Sequence, residues 1–289
     1  MALFKNLSRK IQNQIALICG SMKLTILGSG SCANQLPGES KNRFPPGFLV
    51  EFGQIKILFE CSEGIRFRLE DAGYDYADIH HLAISHAHAD HYALIHYLQS
   101  VSCKGIWTRT KNENLNIYCP KSITDQYPTL MKLHFPDLTG GFLFPKLKFF
   151  SMPAAEPVKI GDASLTAEKV YHAFGRIEAL AFRLETPEGV FVYSGDSGDC
   201  PGIRKICAGA DIFVCEDSAL LNDKKAASGY GHLSARDAGN IAKNGKVKKL
   251  VLFHHTGLDS DEKIKSAVTE SGFAGEAIIA KDFLTIGAL

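Results

Sequence analysis

Ile84–His91, which reads ISHAHADH, sets three histidines and an aspartate within six positions of a chain holding eleven histidines in all. That crowding restricts the backbone that can carry it. On a helix, His86 and Asp90 would share one face while His88 pointed almost oppositely. At the end of the strand-like HHLAIS, His86 and His88 point to one side instead. A turn then redirects Asp90 and His91 ahead of the helical stretch YALIHYLQSV. A strand–turn–helix context therefore gathers all four side chains into one small volume.

The same alternation runs along the chain. KLTILG, FLVEF, IKILFE, LAIS, LNIYC, LAFRLE, GVFVYSG, DIFVC, KLVLF and AIIA are β-branched or aromatic-rich runs. GIRFRLEDAG, YALIHYLQSV, ARDAGNIAKNG and SDEKIKSAV carry helical periodicity between them. An α/β fold is expected. No Ser/Pro-rich linker, low-complexity tract or repeat divides the chain, so residues 22–289 are expected to form one domain. Ahead of it, Leu3, Leu7, Ile11, Ile15 and Ile18 recur at helical spacing and predict an amphipathic helix in an N-terminal extension, 1–21. MKLTILGSG reads equally as a complete first strand and turn opening at Met22.

The 32 basic and 31 acidic residues nearly cancel, leaving no overall field to draw nucleic acid or a membrane surface. An RNA contact would need a local strip, for which Lys41, Arg43, Arg66, Arg68 and Lys104 are candidates; scattered surface charge is the plainer reading. No run approaches the ~20 apolar residues of a membrane span, and a cytoplasmic protein is expected. The eight cysteines include no C-x-x-C pair, so zinc ribbons and thioredoxin-like centres find no support. Cys119 and Cys215 lie in apolar runs and are expected to be small buried hydrophobes.

The four side chains of the cluster exceed what one catalytic metal with an open position uses, and thiolate is absent. This donor set suits zinc, with manganese or iron compatible. Two divalent metals about 3.5–4 Å apart fit better, and they require further ligands, one preferably a bridging carboxylate. His172 in EKVYHAF, Asp196 in VYSGDSGD and His254 in LVLFHHTG each follow an apolar run. A strand end there can aim a side chain into a cleft. His80, His81, His96 and His134 read as ordinary surface or core histidines.

SHAHADH resembles the H-x-H-x-D-H signature of the metallo-β-lactamase superfamily, and the order of His172, Asp196 and His254 resembles its later motifs. Within the superfamily the chain looks most like the ribonuclease Z branch, from about Lys23 to the C-terminus. LTILGSGS resembles that branch's opening strand and loop, and LFECSEG its L-F-D-C-G-E-G. GHLSARDAG resembles H-S-T-A-x-x-A, and VCEDS stands where the branch has H-E-A-T. The resemblance implies a four-layer αββα sandwich, with two metals at one edge between two similar halves. It implies that His86, His88 and His172 hold one metal, that Asp90, His91 and His254 hold the other, and that Asp196 bridges them. His255 is the rival to His254; the family pattern puts the ligand directly after the strand, which favours His254. His232 would be the leaving-group acid, oriented by Glu216, although GHLS could also be a plain capping segment for the helix it opens. Ser234 is expected to cap that helix.

The expected function is a dinuclear metal-dependent hydrolase acting on a phosphodiester, with RNA as candidate substrate. A hydroxide bridging the metals would attack, and Asp90 could accept its proton. Lactone, ester or aryl-sulfate hydrolysis on the same metals is the alternative, and a non-catalytic metal-binding regulator a second. The sequence departs from the branch at Glu60, where it has aspartate, and at Cys215, where it has histidine. More consequentially, LAFRLETPEGVFVYSGD joins two strands by a short turn. Transfer-RNA 3′-processing enzymes carry a long arm there. The resemblance also implies a homodimer.

Overall fold

A computed structural model describes residues 22–32, 43–108, 114–137, 142–219 and 227–287. The expected N-terminal helix and Lys41 lie outside these residues. The β-rich runs become strands because branched and aromatic side chains pack well on a pleated surface. One sheet has the order β14-β1-β2-β3-β4-β5-β6. Its members are β1 (Lys23–Gly28), β2 (Gly47–Phe52), β3 (Ile55–Phe59), β4 (His81–Ala83), β5 (Leu115–Pro120), β6 (Leu147–Met152) and β14 (Thr285–Gly287). The other has the order β13-β12-β11-β10-β9-β8-β7. It contains β7 (Val158–Ile160), β8 (Ala163–Val170), β9 (Ala179–Thr186), β10 (Gly189–Tyr193), β11 (Ile212–Glu216), β12 (Lys249–Phe253) and β13 (Glu276–Ile279). Each sheet is antiparallel over part of its width and parallel over the rest: β3 to β6 in the first, β10 to β13 in the second.

Strand alternation sorts side chains into separate cores. In β2, Phe48 and Val50 face the second sheet, while Leu49 faces outward. The outward side is covered by α1 (Ile65–Asp71), α2 (Leu94–Thr108) and α3 (Lys121–His134), which contribute Ile65, Leu69, Leu98 and Ile123 among others. On the far side, α4 (Pro201–Ile206), α5 (Ala235–Asn244) and α6 (Asp261–Glu270) cover the second sheet through Ile203, Ala238, Ile241 and Ile264. The result is an αββα sandwich. Cys61, Cys119, Cys207 and Cys215 are buried free thiols within it.

Aromatic rings fasten the two sheets face to face. Phe48 packs 5.0 Å from Phe59 in its own sheet, and 4.9 and 5.4 Å from Tyr193 and Phe253 in the other. Edge-to-face pairs of this kind add to the burial itself. Phe48→Ala should therefore destabilise the protein by about 3–5 kcal/mol, read as a lowered denaturation midpoint; a midpoint matching the parent chain would contradict this role.

The C-terminal segment is tied to the loop after β1. Asp282 accepts from the Ser29 amide at 2.9 Å, the Ser29 hydroxyl at 2.8 Å, the Phe44 amide at 2.9 Å and Arg68 at 2.9 Å. The Arg68 guanidinium lies between the rings of Phe44 and Phe283. Ser29 and Phe44 are thereby held in place, and close by in sequence the Cys32 amide donates to Asp90 of the histidine cluster.

Candidate metal centre

Every side chain singled out for metal binding lies beyond the carboxyl end of a strand, and β8, β10 and β12 of the second sheet run the same way. His86, His88, Asp90 and His91 follow β4, His172 follows β8, Asp196 follows β10 and His254 follows β12. Carboxyl ends of parallel strands are where open α/β sheets present their ligands. Gly195 lets the chain turn here. Its φ is +57°, and a Cβ on it would sit 2.4 Å from the Leu180 carbonyl oxygen, so no side chain fits ahead of Asp196. His254 has φ +63°, a left-handed conformation disfavoured by about 1–2 kcal/mol in a residue with a Cβ. Such strain concentrates at functional sites.

The structure brings seven of these residues together. His86, His88, His172 and Asp196 form one group of mutually close donor atoms, and Asp90, His91 and His254 a second. His88 Nδ1 is 2.9 Å from His86 Nε2 and 3.0 Å from His172 Nε2. His254 Nε2 is 3.2 Å from His91 Nε2 and 3.3 Å from Asp90 Oδ2. Asp196 stands between the groups: its Oδ1 is 3.4 Å from His91, and its Oδ2 is 3.9 Å from His172 and 3.7 Å from His254. His86, His91 and His172 are wholly buried, whereas His88 and Asp90 are partly exposed. The cluster thus opens to solvent on one side.

These contacts fit divalent cations better than hydrogen bonds. His172 Nδ1 donates to the Gly231 carbonyl at 3.0 Å, which leaves a lone pair on Nε2 of the neutral ring. One proton on His88 Nδ1 can serve only one of the two nitrogens facing it. Buried Asp196 Oδ1 and His254 Nδ1 have no hydrogen-bond partner, an expensive state for a carboxylate oxygen unless a cation faces it. The electrostatics agree. Burial works against the charge on Asp196, but His254 and His91 outweigh it and hold the carboxyl well below its usual range. Burial likewise opposes a proton on His91, and Asp196 with Glu60 overcomes it, driving the ring well above its ordinary value.

His232 and Glu216 adjoin this cluster. Glu216 ends β11, and its carboxylate accepts from the Ser197 amide at 2.6 Å and from the Ser218 hydroxyl. His232 Nδ1 lies 2.9 Å from Glu216 Oε2 and 4.0 Å from Asp196 Oδ2. Burial disfavours charge on His232, yet Glu216 prevails and raises the ring to about 9. With Nδ1 committed to Glu216, Nε2 is the ring atom available to a substrate. Ser234, two residues on, caps α5 through a capping box with Asp237.

Several neighbours escaped the sequence reading. Glu60, noted there only as a departure from aspartate, is fully buried with Oε1 3.4 Å from His91 Nδ1, and it accepts from the Ser85 amide. Asp217, also buried, pairs at 2.7 Å with His255, the rival to His254, which joins neither group. Tyr230 stacks on His232 with rings 5.3 Å apart. Only the position of Glu60 at the end of an apolar run offered any signal. Three of the described candidates for a basic strip are engaged within the chain: Arg43 reaches Asp261, Arg68 is buried on Asp282, and Lys104 pairs with Asp75. His80, His81, His96 and His134 join neither group.

An αββα sandwich with histidines and carboxylates converging at strand ends defines a metal-dependent hydrolase. Comparison with known proteins agrees. Residues 56–255 match the family described as Beta-lactamase superfamily domain, and the chain belongs to that superfamily. A ribonuclease Z of Nocardia farcinica is 25% identical over 309 residues, covering 90% of this chain and 95% of its own. Among solved structures, the metallo-beta-lactamase fold protein YhfI of Bacillus subtilis has a TM-score of 0.77 at 23% identity, covering 93% of this chain and 100% of that one. Human tRNase Z, short form, has a TM-score of 0.69 at 20% identity, covering 92% and 99%. Within the superfamily the chain is ribonuclease Z-like. No helix among the described residues is long and apolar enough to cross a membrane.

Proposed function

We propose that the chain hydrolyses a phosphodiester, with RNA as the substrate class, on two divalent cations for which zinc suits the donors. His86, His88 and His172 would hold one cation and Asp90, His91 and His254 the other, with Asp196 shared. When bound, the cations supply the Lewis acidity that activates water and neutralises phosphoryl charge. The chain's own residues do the rest. Asp90, on the partly exposed side, can take the proton that the attacking water loses. His232 Nε2 gives a proton to the departing oxygen as its bond to phosphorus breaks. Glu216 keeps the ring turned and charged for that transfer.

The observation that carries this reading is the His232–Glu216 pair beside Asp196, since a proton donor is what an alkoxide leaving group requires. The RNA assignment draws on similarity to ribonuclease Z. The β9–β10 hairpin argues against borrowing the transfer-RNA specificity with it: Thr186 pairs directly with Gly189, leaving no arm at that turn. We take residues 22–289 as the catalytic unit and expect a homodimer, for which sedimentation gives the direct measurement.

The test is to determine metal stoichiometry and to assay an activated phosphodiester, a lactone, an aryl sulfate and a precursor transfer RNA side by side. Two metals per chain with diester turnover are expected. Turnover of the lactone or sulfate alone would replace this reading with the corresponding hydrolase, and metal binding without any turnover with a regulator. Cleavage of the precursor after its acceptor stem would extend the reading to transfer RNA despite the short hairpin.

A further inference from the structure

The edge of the site nearest His232 is aromatic. Phe174 is 55% exposed and Tyr230 39%, and their rings meet edge to face with centroids 5.4 Å apart. Large rings left open to water beside a reaction centre call for an explanation, and the backbone here is held in place to present them. Ala173 and Phe174 are both left-handed, with φ of +48° and +56°, and Gly175 follows at +70°. Neither Ala173 nor Phe174 adopts that conformation readily, so the surrounding contacts must impose it.

Those contacts join two segments of the site. The Tyr171 hydroxyl donates to the Gly229 carbonyl at 3.2 Å, and His172 Nδ1 to that of Gly231. A Cβ on Gly231 would sit 2.6 Å from the Tyr171 carbonyl oxygen, so only glycine permits this approach. The rings are thereby set in register with the reaction centre. Tyr230 stacks nearly parallel on His232, at an interplanar angle of 14°, and meets His172 edge-on at 5.5 Å. Exposed Arg176 places its guanidinium carbon 5.7 Å from the Phe174 ring centroid.

We propose that Phe174, braced edge to face by Tyr230, is a stacking platform for a nucleobase. The base belongs to the nucleoside whose oxygen departs with the proton from His232, and Arg176 meets an adjoining phosphate. Flat exposed aromatics beside a cation are how proteins seize single-stranded nucleic acid without reading its sequence, and unstacked bases are what RNA offers them. The proposal rests on the phosphodiester reading and narrows it: the substrate is a nucleotide chain, unpaired at the nucleoside on the leaving side. Phe174 positions substrate and does not touch His232, which makes it the cleaner position to vary.

The experiment uses the metal-loaded protein with adenylyl-adenosine and two analogues, each lacking one base. Phe174→Ala should raise KM for the dinucleotide about ten- to hundredfold with little change in kcat, and Phe174→Tyr should restore it. Removing the leaving-side base should raise KM similarly and abolish the further effect of Phe174→Ala. If the dinucleotide is cleaved with the same KM by Phe174→Ala, or if the leaving-side base is irrelevant, the platform is wrong while the phosphodiester reading stands. If no diester is cleaved, that reading falls and takes the substrate assignment with it. Saturation-transfer NMR with adenosine needs no turnover: adenine signals that vanish in Phe174→Ala support the platform, and their absence in the parent chain overturns it.

Discussion

Asp196→Ala should lower hydrolysis by more than about 10³-fold, a loss of roughly 4 kcal/mol in transition-state stabilisation, and should strip metal from the protein. Asp196 is the side chain common to both groups, with Oδ1 toward His91 and Oδ2 toward His172 and His254. Its loss leaves the first group as His86, His88 and His172 alone, all neutral donors. The second group keeps a single carboxylate, Asp90. Two divalent cations brought that close would then face one negative charge between them, and their repulsion would favour release of at least one. Metal analysis of the purified variant should accordingly return fewer than two ions per chain. Chelation of the parent protein should reproduce the loss, and readdition of zinc should reverse it for the parent but not the variant. A variant with full stoichiometry and full turnover would remove Asp196 from the centre.

The seven residues that the structure gathers into two groups were legible because the motif resemblance named them and because most stand close after an apolar strand, which is local information. The alternation of strand and helix runs likewise located most elements, since burial on a sheet face and on a helix stripe have different periods. What stayed hidden depends on partners distant in sequence. Nothing near Glu60 announces that it will face His91, and nothing near Asp217 announces His255; packing decides both. Tyr230 reads as a loop residue until the segment around it is drawn against Tyr171 and His172. Helix α3 was missed for a local reason, because Pro128 lies inside it and interrupts the helical reading. The short strands β7 and β14, each of three residues, are too brief to carry a period. Arg68 was read as surface charge and is buried, because Asp282 and two aromatic rings arrive from elsewhere in the chain.

His232→Ala should reduce kcat on a dinucleotide by about 10²–10⁴-fold and leave metal content at the parent value. The separation of the two readouts follows from the geometry. His232 contacts Glu216 at 2.9 Å but comes no nearer than 4.0 Å to Asp196, and it belongs to neither of the two groups assigned to the cations. Three side chains occur in a further cluster, Asp196, Glu216 and His232, which admits a rival account in which His232 ligates metal. The leaving group decides between them. A nitrophenolate departs without a proton, so loss of an acid should hardly slow a bis(nitrophenyl) phosphate while crippling the dinucleotide, whose alkoxide needs one. Loss of a ligand would slow both substrates and lower the metal content. Glu216→Gln should lie between parent and His232→Ala, since the amide still bonds the ring but no longer favours its charged form. Equal slowing of the two substrates by His232→Ala would transfer the residue from proton donor to metal ligand.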